Sequence, residues 1–124
     1  MIEIHPLREK DKLEKLYKEK KISFNDNSIA VVASDGDDII GTCLFELFEK
    51  DMTIHHVSPT DDIMFADGIL RSALHVGVEN GIKCAFYSKT APEDLIKKLG
   101  FLKNTENNEL KVELLFTSCG SCEK

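Results

Sequence analysis

Several features that mark particular classes of protein are missing from this sequence of 124 residues. No apolar run approaches the ~20 residues needed to span a bilayer. The first six residues lack the basic and apolar regions of a signal peptide. The formal net charge is −6, so a nucleic-acid-binding surface is not expected. These absences predict a cytoplasmic protein whose partners are neither membranes nor nucleic acids, with cysteines that are mostly reduced.

The cysteines do not add up to a metal or redox site. Cys119 and Cys122 have the spacing used in zinc and redox sites, but a structural zinc needs about four ligands, and no second such pair exists. A redox pair would normally begin a helix that follows a strand. We therefore predict no metal site and interpret the pair as part of a polar tail. Capture of a metal together with His55 or His56 is left open as the alternative.

The residues that are present predict one folded domain. An apolar share of 42% and a charged share of 31% are ordinary for a globular protein, and the length suffices for a core. The pattern places one domain over residues 1–116 and a tail over 117–124.

Hydrophobic periodicity and turn residues predict an alternation of strands and helices. The predicted elements are a strand over 1–4, a helix over 7–21, a hairpin of strands over 29–33 and 39–48, a strand over 52–57, a helix over 61–80, a strand over 82–88, a short helix ending near 101, and a strand over 109–116. Thr60 is the expected N-cap of the long helix and Gly81 its stop. Two strands joined by a helix favour a parallel, right-handed crossover. The fold class is α/β (α+β), a mixed sheet in which an antiparallel meander precedes a βαβ crossover, with helices on both faces.

Four short segments, taken with their order and spacing, resemble the GNAT N-acetyltransferase superfamily. They are Asp38-Ile-Ile-Gly41, Val57-Ser-Pro59, Glu79-Asn-Gly-Ile82 and the closing segment 95–101. The resemblance implies transfer of an acetyl group from acetyl-CoA to the primary amine of a small molecule or peptide. It also implies a cofactor that lies between the fourth and fifth strands. Only one helix fills the interval that usually holds two, which suggests an open acceptor site or one completed in a homodimer.

The resemblance implies which backbone holds the cofactor. In the family the pyrophosphate rests on N–H groups at the start of the central helix, where the helix dipole favours an anion. The matching cofactor-binding positions are Val57, Ser58, Ile63, Met64, Phe65, Ala66 and Gly68. The loop matches the family in two alternative registers, over 61–66 or 65–70, and neither supplies the usual Arg or Gln. Asp61 and Asp62 are expected near the diphosphate, where like charge weakens binding.

Three residues are candidates for proton transfer. His56 or Glu46 would act as the base that removes a proton from the acceptor ammonium, since both lie on strands near the predicted site. Because they are consecutive on a strand, His55 and His56 are predicted to face opposite sides of the sheet. The family often places a Tyr that acts as the general acid in the last helix. This chain has apolar residues there, so Tyr87 is the nearest substitute for that role.

The same departures from the family pattern support a second hypothesis. A GNAT-fold module without catalytic activity, serving in binding or oligomerisation, would have no need of the usual loop or of the Tyr. Binding of acetyl-CoA separates the two hypotheses.

Overall fold

The computed structural model describes residues 2–100, 102–104 and 108–110, with backbone alone at 102–104. In chain order the elements are β1 Ile2–Leu7, α1 Lys10–Glu19, β2 Ser28–Asp35, β3 Asp38–Leu47, β4 Asp51–Ser58, α2 Ile63–Glu79, β5 Cys84–Tyr87, α3 Glu93–Leu99, β6 Leu102–Asn104 and β7 Glu109–Leu110.

These strands form one sheet in the order β1-β2-β3-β4-β5-β7-β6. Every neighbouring pair is antiparallel except β4 and β5, which run parallel because α2 carries the chain from one end of the sheet back to the other. A meander followed by a βαβ crossover is therefore the observed topology, as the sequence predicted.

The sheet separates two apolar layers, one under each set of helices. On one face, Leu13 and Tyr17 of α1 pack on Ala30, Val32 and Leu44. The Tyr17 hydroxyl is shared between the backbone carbonyls of residues 29 and 45, at 2.6 and 2.7 Å, which ties the helix to two adjacent strands. On the other face α2 and α3 cover the larger core. The sheet contributes the following buried side chains to the core beneath α2: Val31, Ala33, Cys43, Phe45, Met52, Ile54, Val57 and Ala85. Helices on both faces are thus confirmed.

Several element boundaries differ from the prediction. β1 continues through Pro6, which an edge strand tolerates because the missing N–H need not enter a ladder. The N-cap of α2 is Asp62 and not Thr60, because the Asp62 carboxylate accepts a hydrogen bond of 3.1 Å from the N–H of Phe65. Gly81 does end α2, in a left-handed conformation with φ +86°.

The end of the chain was incompletely predicted. The short strand β6 was missed, and β7 is the described part of the strand predicted over 109–116. Residues 111–116 and the tail over 117–124, with Cys119 and Cys122, lie outside the described residues. None of the helices in the described ranges is both long and apolar enough to cross a membrane.

Candidate active site

The two parallel strands separate at the carboxyl end of β4. β4 pairs with β5 from Asp51 to Ile54, and one further bond of 2.9 Å joins the N–H of Ser88 to the carbonyl of Ile54. β5 ends at Tyr87, whereas β4 continues to Ser58. An edge of β4 therefore extends beyond its partner, and carboxyl ends of parallel strands are where open α/β sheets bind ligands.

A β-bulge in β4 sets the direction of its two histidines. Leu44 of β3 lies opposite His56, and the next residue of β3 lies opposite Ile54, so His55 is the extra residue. As a consequence Ile54 and Val57, three positions apart, both point into the α2-side core. The prediction that His55 and His56 face opposite sides is therefore wrong, because strict alternation breaks at the bulge. Both lie on the α1 side of the sheet.

On that side, side chains from two strands and two loops form a continuous hydrogen-bonded chain. His55 Nε2 lies 2.5 Å from Glu46 Oε1, and His55 Nδ1 lies 2.8 Å from Ser88 Oγ. Ser88 Oγ is 2.8 Å from Thr90 Oγ1, which donates a bond of 2.8 Å to the backbone carbonyl of His55. The second oxygen of Glu46 accepts a bond of 2.9 Å from the amide of Asn25. We call Asn25, Glu46, His55, Ser88 and Thr90 the relay.

The directions of these bonds follow from counting protons. Thr90 has one hydroxyl proton, and the carbonyl of His55 can only accept, so that proton is committed. Ser88 must then donate to Thr90 and accept from His55 Nδ1. Because the ionised Glu46 also accepts, Nε2 carries a proton as well. If both ring nitrogens of His55 carry protons, all of these contacts are satisfied together and His55 forms an ion pair with Glu46.

Burial strengthens this pair. The side chains of His55 and Glu46 are 16% and 17% exposed, respectively, so water screens them less than a surface pair. Burial by itself would raise the pKa of Glu46, but hydrogen bonds from Asn25 and His55 outweigh it and lower that pKa. Glu46 is consequently a weak base and a good partner for a cation.

The relay opens onto a pocket of about 490 Å³. One wall is the segment after α1 and the other is the segment after β5, with Glu46 and His55 between them. The pocket is lined by Lys21, Ile22, Ser23, Glu46, His55, Ser88, Lys89 and Thr90. A hydroxyl joined to an imidazole and a carboxylate at such distances is able to carry a proton away from a bound group.

His56 and Tyr87, predicted as catalytic, lie elsewhere. His56 Nε2 is buried with no hydrogen-bond partner among the described residues, and burial, together with the charge of Lys20, lowers the pKa of His56. The Tyr87 ring is part of the α2-side core, and its hydroxyl donates a bond of 2.7 Å to Glu93 at the start of α3. That bond, and burial after it, raises the pKa of Tyr87. The relay includes Glu46 but neither of these two residues.

The predicted cofactor positions lie at the end of β4 and along the first two turns of α2. Val57 and Ala66 are buried in the core, whereas Ile63 and Met64 are 46% and 87% exposed. Gly68 lies within α2, where a Cβ atom would be 3.6 Å from Ile4 of β1. Whether these residues bind a cofactor stays a prediction. A second groove, of about 460 Å³, lies between Thr60 and α3 and includes Lys98.

The start of α2 is a poor match for a diphosphate, whereas the backbone of β4 beside it suits an uncharged, extended part of a ligand. Asp62 already uses the N–H of Phe65, and its backbone carbonyl accepts from Ala66, which leaves the first two N–H groups of the helix for an anion. Asp61 and Asp62 are exposed there. In the described part of the chain, the edge of β4 beyond Ile54 leaves backbone groups without a strand partner on the β5 side, and the groove beside α3 is lined by Lys98 together with Glu93 and Asp94. Like charge at Asp61 and Asp62 would weaken the binding of an anion at this helix start.

Sequence reasoning missed four members of the relay, since it named His56 and not His55 as the candidate base. Ser88 and Thr90 fall in the segment after β5 that the topology marks as a ligand-binding edge, so their hydroxyls were available as a signal. Asn25 lies in a loop that its own side chain helps to stabilise, because Asn25 Oδ1 accepts a hydrogen bond of 2.8 Å from the N–H of Asn27. Nothing in the sequence pairs Asn25 with Glu46.

The fold is that of the GNAT acetyltransferases. A protein from Desulfovibrio desulfuricans that has been assigned to the GNAT family of acetyltransferases matches with a TM-score of 0.59 at 14% identity, over 85% of this chain and 87% of that one. The ribosomal-protein-S18-alanine N-acetyltransferase from Escherichia coli also matches with a TM-score of 0.59, at 12% identity over 88% of each chain. No family model matches the sequence. No curated protein matches it either. At such identities the likeness establishes the fold, and it agrees with the architecture expected from the sequence.

Proposed function

We propose that this protein is an N-acetyltransferase that transfers an acetyl group from acetyl-CoA to a primary amine. The observation that carries the proposal is the relay, which opens onto a pocket at the point where β4 and β5 separate. The fold supports it, because the two structural neighbours are acetyltransferases.

The donor would lie on the α2 side of this opening. When bound, acetyl-CoA supplies an acetyl group activated as a thioester. The free edge of β4 near Ser58 and the groove between Thr60 and α3 would hold its arm; the groove contains Lys98 as well as the carboxylates of Glu93 and Asp94. The N–H groups of Ile63 and Met64 would face the diphosphate.

The acceptor would lie on the α1 side, where the relay removes its proton. In the neutral state of His55, Ser88 turns its hydroxyl proton from Thr90 to His55 Nδ1. The acceptor ammonium then gives one proton to Ser88 Oγ while the Ser88 proton moves to Nδ1. The amine lone pair becomes free to attack, and the new imidazolium is stabilised by Glu46. The heavy-atom distances of the relay are compatible with this protonated state.

The role of each group sets the expected effect of its removal. His55→Gln removes the proton acceptor, so kcat should fall about 100-fold or more, in the range typical of general base catalysis. Ser88→Ala should lower kcat less, because a water molecule can replace the hydroxyl. His75→Gln is the matched control, since His75 is an exposed residue of α2 with a 65% exposed side chain.

The assay is release of the CoA thiol from acetyl-CoA in the presence of a panel of primary amines, followed between pH 6 and 9. We expect release that depends on an amine and on His55, and unchanged rates for His75→Gln. Release that survives His55→Gln unchanged across this pH range would refute the relay as the base.

A second candidate function is a binding module that has lost acetyl transfer. Asp61 and Asp62 at the anion-binding start of α2 favour it, as do the exposed side chains of Ile63 and Met64 beside them. Calorimetry decides between the two. Absence of acetyl-CoA binding at millimolar concentration would exclude the transferase and retain the module.

A further inference from the structure

The pocket on the α1 side carries an excess of positive charge. Among its described lining residues, Glu46 is the one carboxylate, and its charge is taken up by Asn25 and His55. Lys21 belongs to one wall of the pocket and Lys89 to the other. Within residues 2–100, 102–104 and 108–110, neither lysine forms an ion pair. Their charges are therefore available to a ligand.

The backbone at Lys21 gives independent reason to regard this lysine as part of a site. Lys21 has φ +59°, in the left-handed region where glycine is favoured. Its N–H bonds to the carbonyl of Lys18 at 3.1 Å, and the N–H of Ile22 bonds to that of Tyr17 at 3.0 Å. This is the Schellman ending of a helix, which usually has glycine at this position. A charged residue held in a strained conformation beside a pocket is typical of a functional site.

We propose that the acceptor is an amine that also carries a carboxylate, such as an amino acid or a short peptide. The carboxylate binds between Lys21 and Lys89, and the amine lies at Ser88, where the relay takes its proton. This inference rests on the proposed function for the fate of the amine, whereas the recognition of the carboxylate depends on the pocket alone.

Polyamines are disfavoured by the same charges. An acceptor with several ammonium groups would meet two lysines and gain at most one carboxylate, which is already hydrogen-bonded twice. A carboxylate, by contrast, gains two charge-assisted hydrogen bonds, and such bonds are stronger than neutral ones. The hydroxyl of Ser23 adds a neutral donor among the lining residues.

The test measures binding without any cofactor, by chemical shifts of the backbone amides of residues 21–23 and 88–90. The probes form pairs that differ by one carboxylate: L-alanine with ethylamine, and 4-aminobutyrate with n-propylamine. Spermidine serves as the polycation. We expect at least one carboxylate-bearing probe to bind about tenfold more tightly than its partner and than spermidine.

Substitutions connect that preference to the two lysines. Lys21→Gln and Lys89→Gln should each weaken the binding of the carboxylate-bearing probe about tenfold and leave the binding of the matching carboxylate-free amine unchanged. Lys83→Gln, at an exposed lysine outside the pocket, is the control and should change neither.

The outcomes separate this inference from the proposed function. Three results would overturn the inference of a carboxylate-bearing acceptor. They are binding of the carboxylate-free amines as tightly or more tightly, binding of none of the probes, and carboxylate binding that neither substitution changes. Acetylation of spermidine in preference to the amino acids would also overturn this inference, but it would support the proposed acetyltransferase activity. Selective binding of a carboxylate without any transfer would support the pocket's chemistry and overturn the transferase.

Discussion

Replacing Lys21 by glycine should stabilise the protein and weaken its ligand binding at the same time. A side chain in the left-handed conformation costs roughly 1–2 kcal/mol. Glycine removes that cost but adds about 0.5–1 kcal/mol of unfolded-state entropy. The hydrogen bonds of Lys21 and Ile22 that end α1 involve only backbone atoms and are retained. The net expectation is a gain of about 0.5–1 kcal/mol, or roughly 3 °C in the melting temperature.

Two further substitutions at the same position separate conformation from charge. Lys21→Gln keeps the strained backbone and loses the charge, so stability should stay within about 0.5 kcal/mol while carboxylate binding falls. Lys21→Asn should lie between Gln and Gly in stability, because asparagine tolerates this conformation. Urea unfolding gives the stabilities and amide shifts give the binding. A destabilised Lys21→Gly, or a glycine variant that binds the carboxylate as well as wild type, would refute this reasoning.

Four other substitutions test the site and the core, with Asp51→Asn as a control. Burial and the charge of Lys20 lower the pKa of His56 from 6.5, so at acidic pH the unfolded chain binds a proton at His56 more readily than the folded chain does. The free energy of unfolding should therefore fall as the pH drops below about 6.5. His56→Gln should flatten that slope in urea titrations at pH 7.5 and 5.5, and an unchanged slope would show that other groups cause it. Gly41→Ala should destabilise the protein by about 1–3 kcal/mol, because its Cβ would lie 3.1 Å from the carbonyl of Ser58 and would collide with Ile69. Gly68→Ala is the contrasting change. It has an ordinary contact and should gain about 0.5–1 kcal/mol from helix propensity, and a loss of thermal stability would contradict this. Asp62→Asn keeps the N-cap of α2 and removes its charge, so acetyl-CoA should bind several-fold more tightly in calorimetry, whereas Asp51→Asn should have no effect. An affinity that stays the same in Asp62→Asn would show that the acids do not face the diphosphate.

Much of the fold could be predicted because its signals are local. The breaker at Pro59, the turn with Gly36 at φ +65° and the stop at Gly81 each act within a few residues of the chain. The order of strands and helices follows from such signals, and the parallel pairing of β4 with β5 follows from the helix between them. The short β6 offers three residues and no periodicity, which explains why it was missed.

The site could be predicted only in outline. Topology marked the segment after β5 as a binding edge, and that segment supplies Ser88 and Thr90. The partners of a side chain on a neighbouring strand depend on register, which the sequence does not state. Glu46 meets His55 across two adjacent strands, and Asn25 reaches Glu46 from a loop. These contacts are tertiary, so no spacing within the chain encodes them.

The bulge at His55 decides which face of the sheet His56 and Val57 occupy, and two opposing effects accompany it. With regular alternation, Val57 would face α1 and His56 would enter the α2-side core. The bulge instead buries Val57 completely in that core, which contributes about 1.5–3 kcal/mol. It leaves His56 Nε2 buried without a partner among the described residues, at a cost of about 1–3 kcal/mol. The two effects nearly cancel. Because His55 follows Ile54 directly, it faces the α1 side with or without the bulge, so the bulge decides the sides of His56 and Val57 and not that of His55.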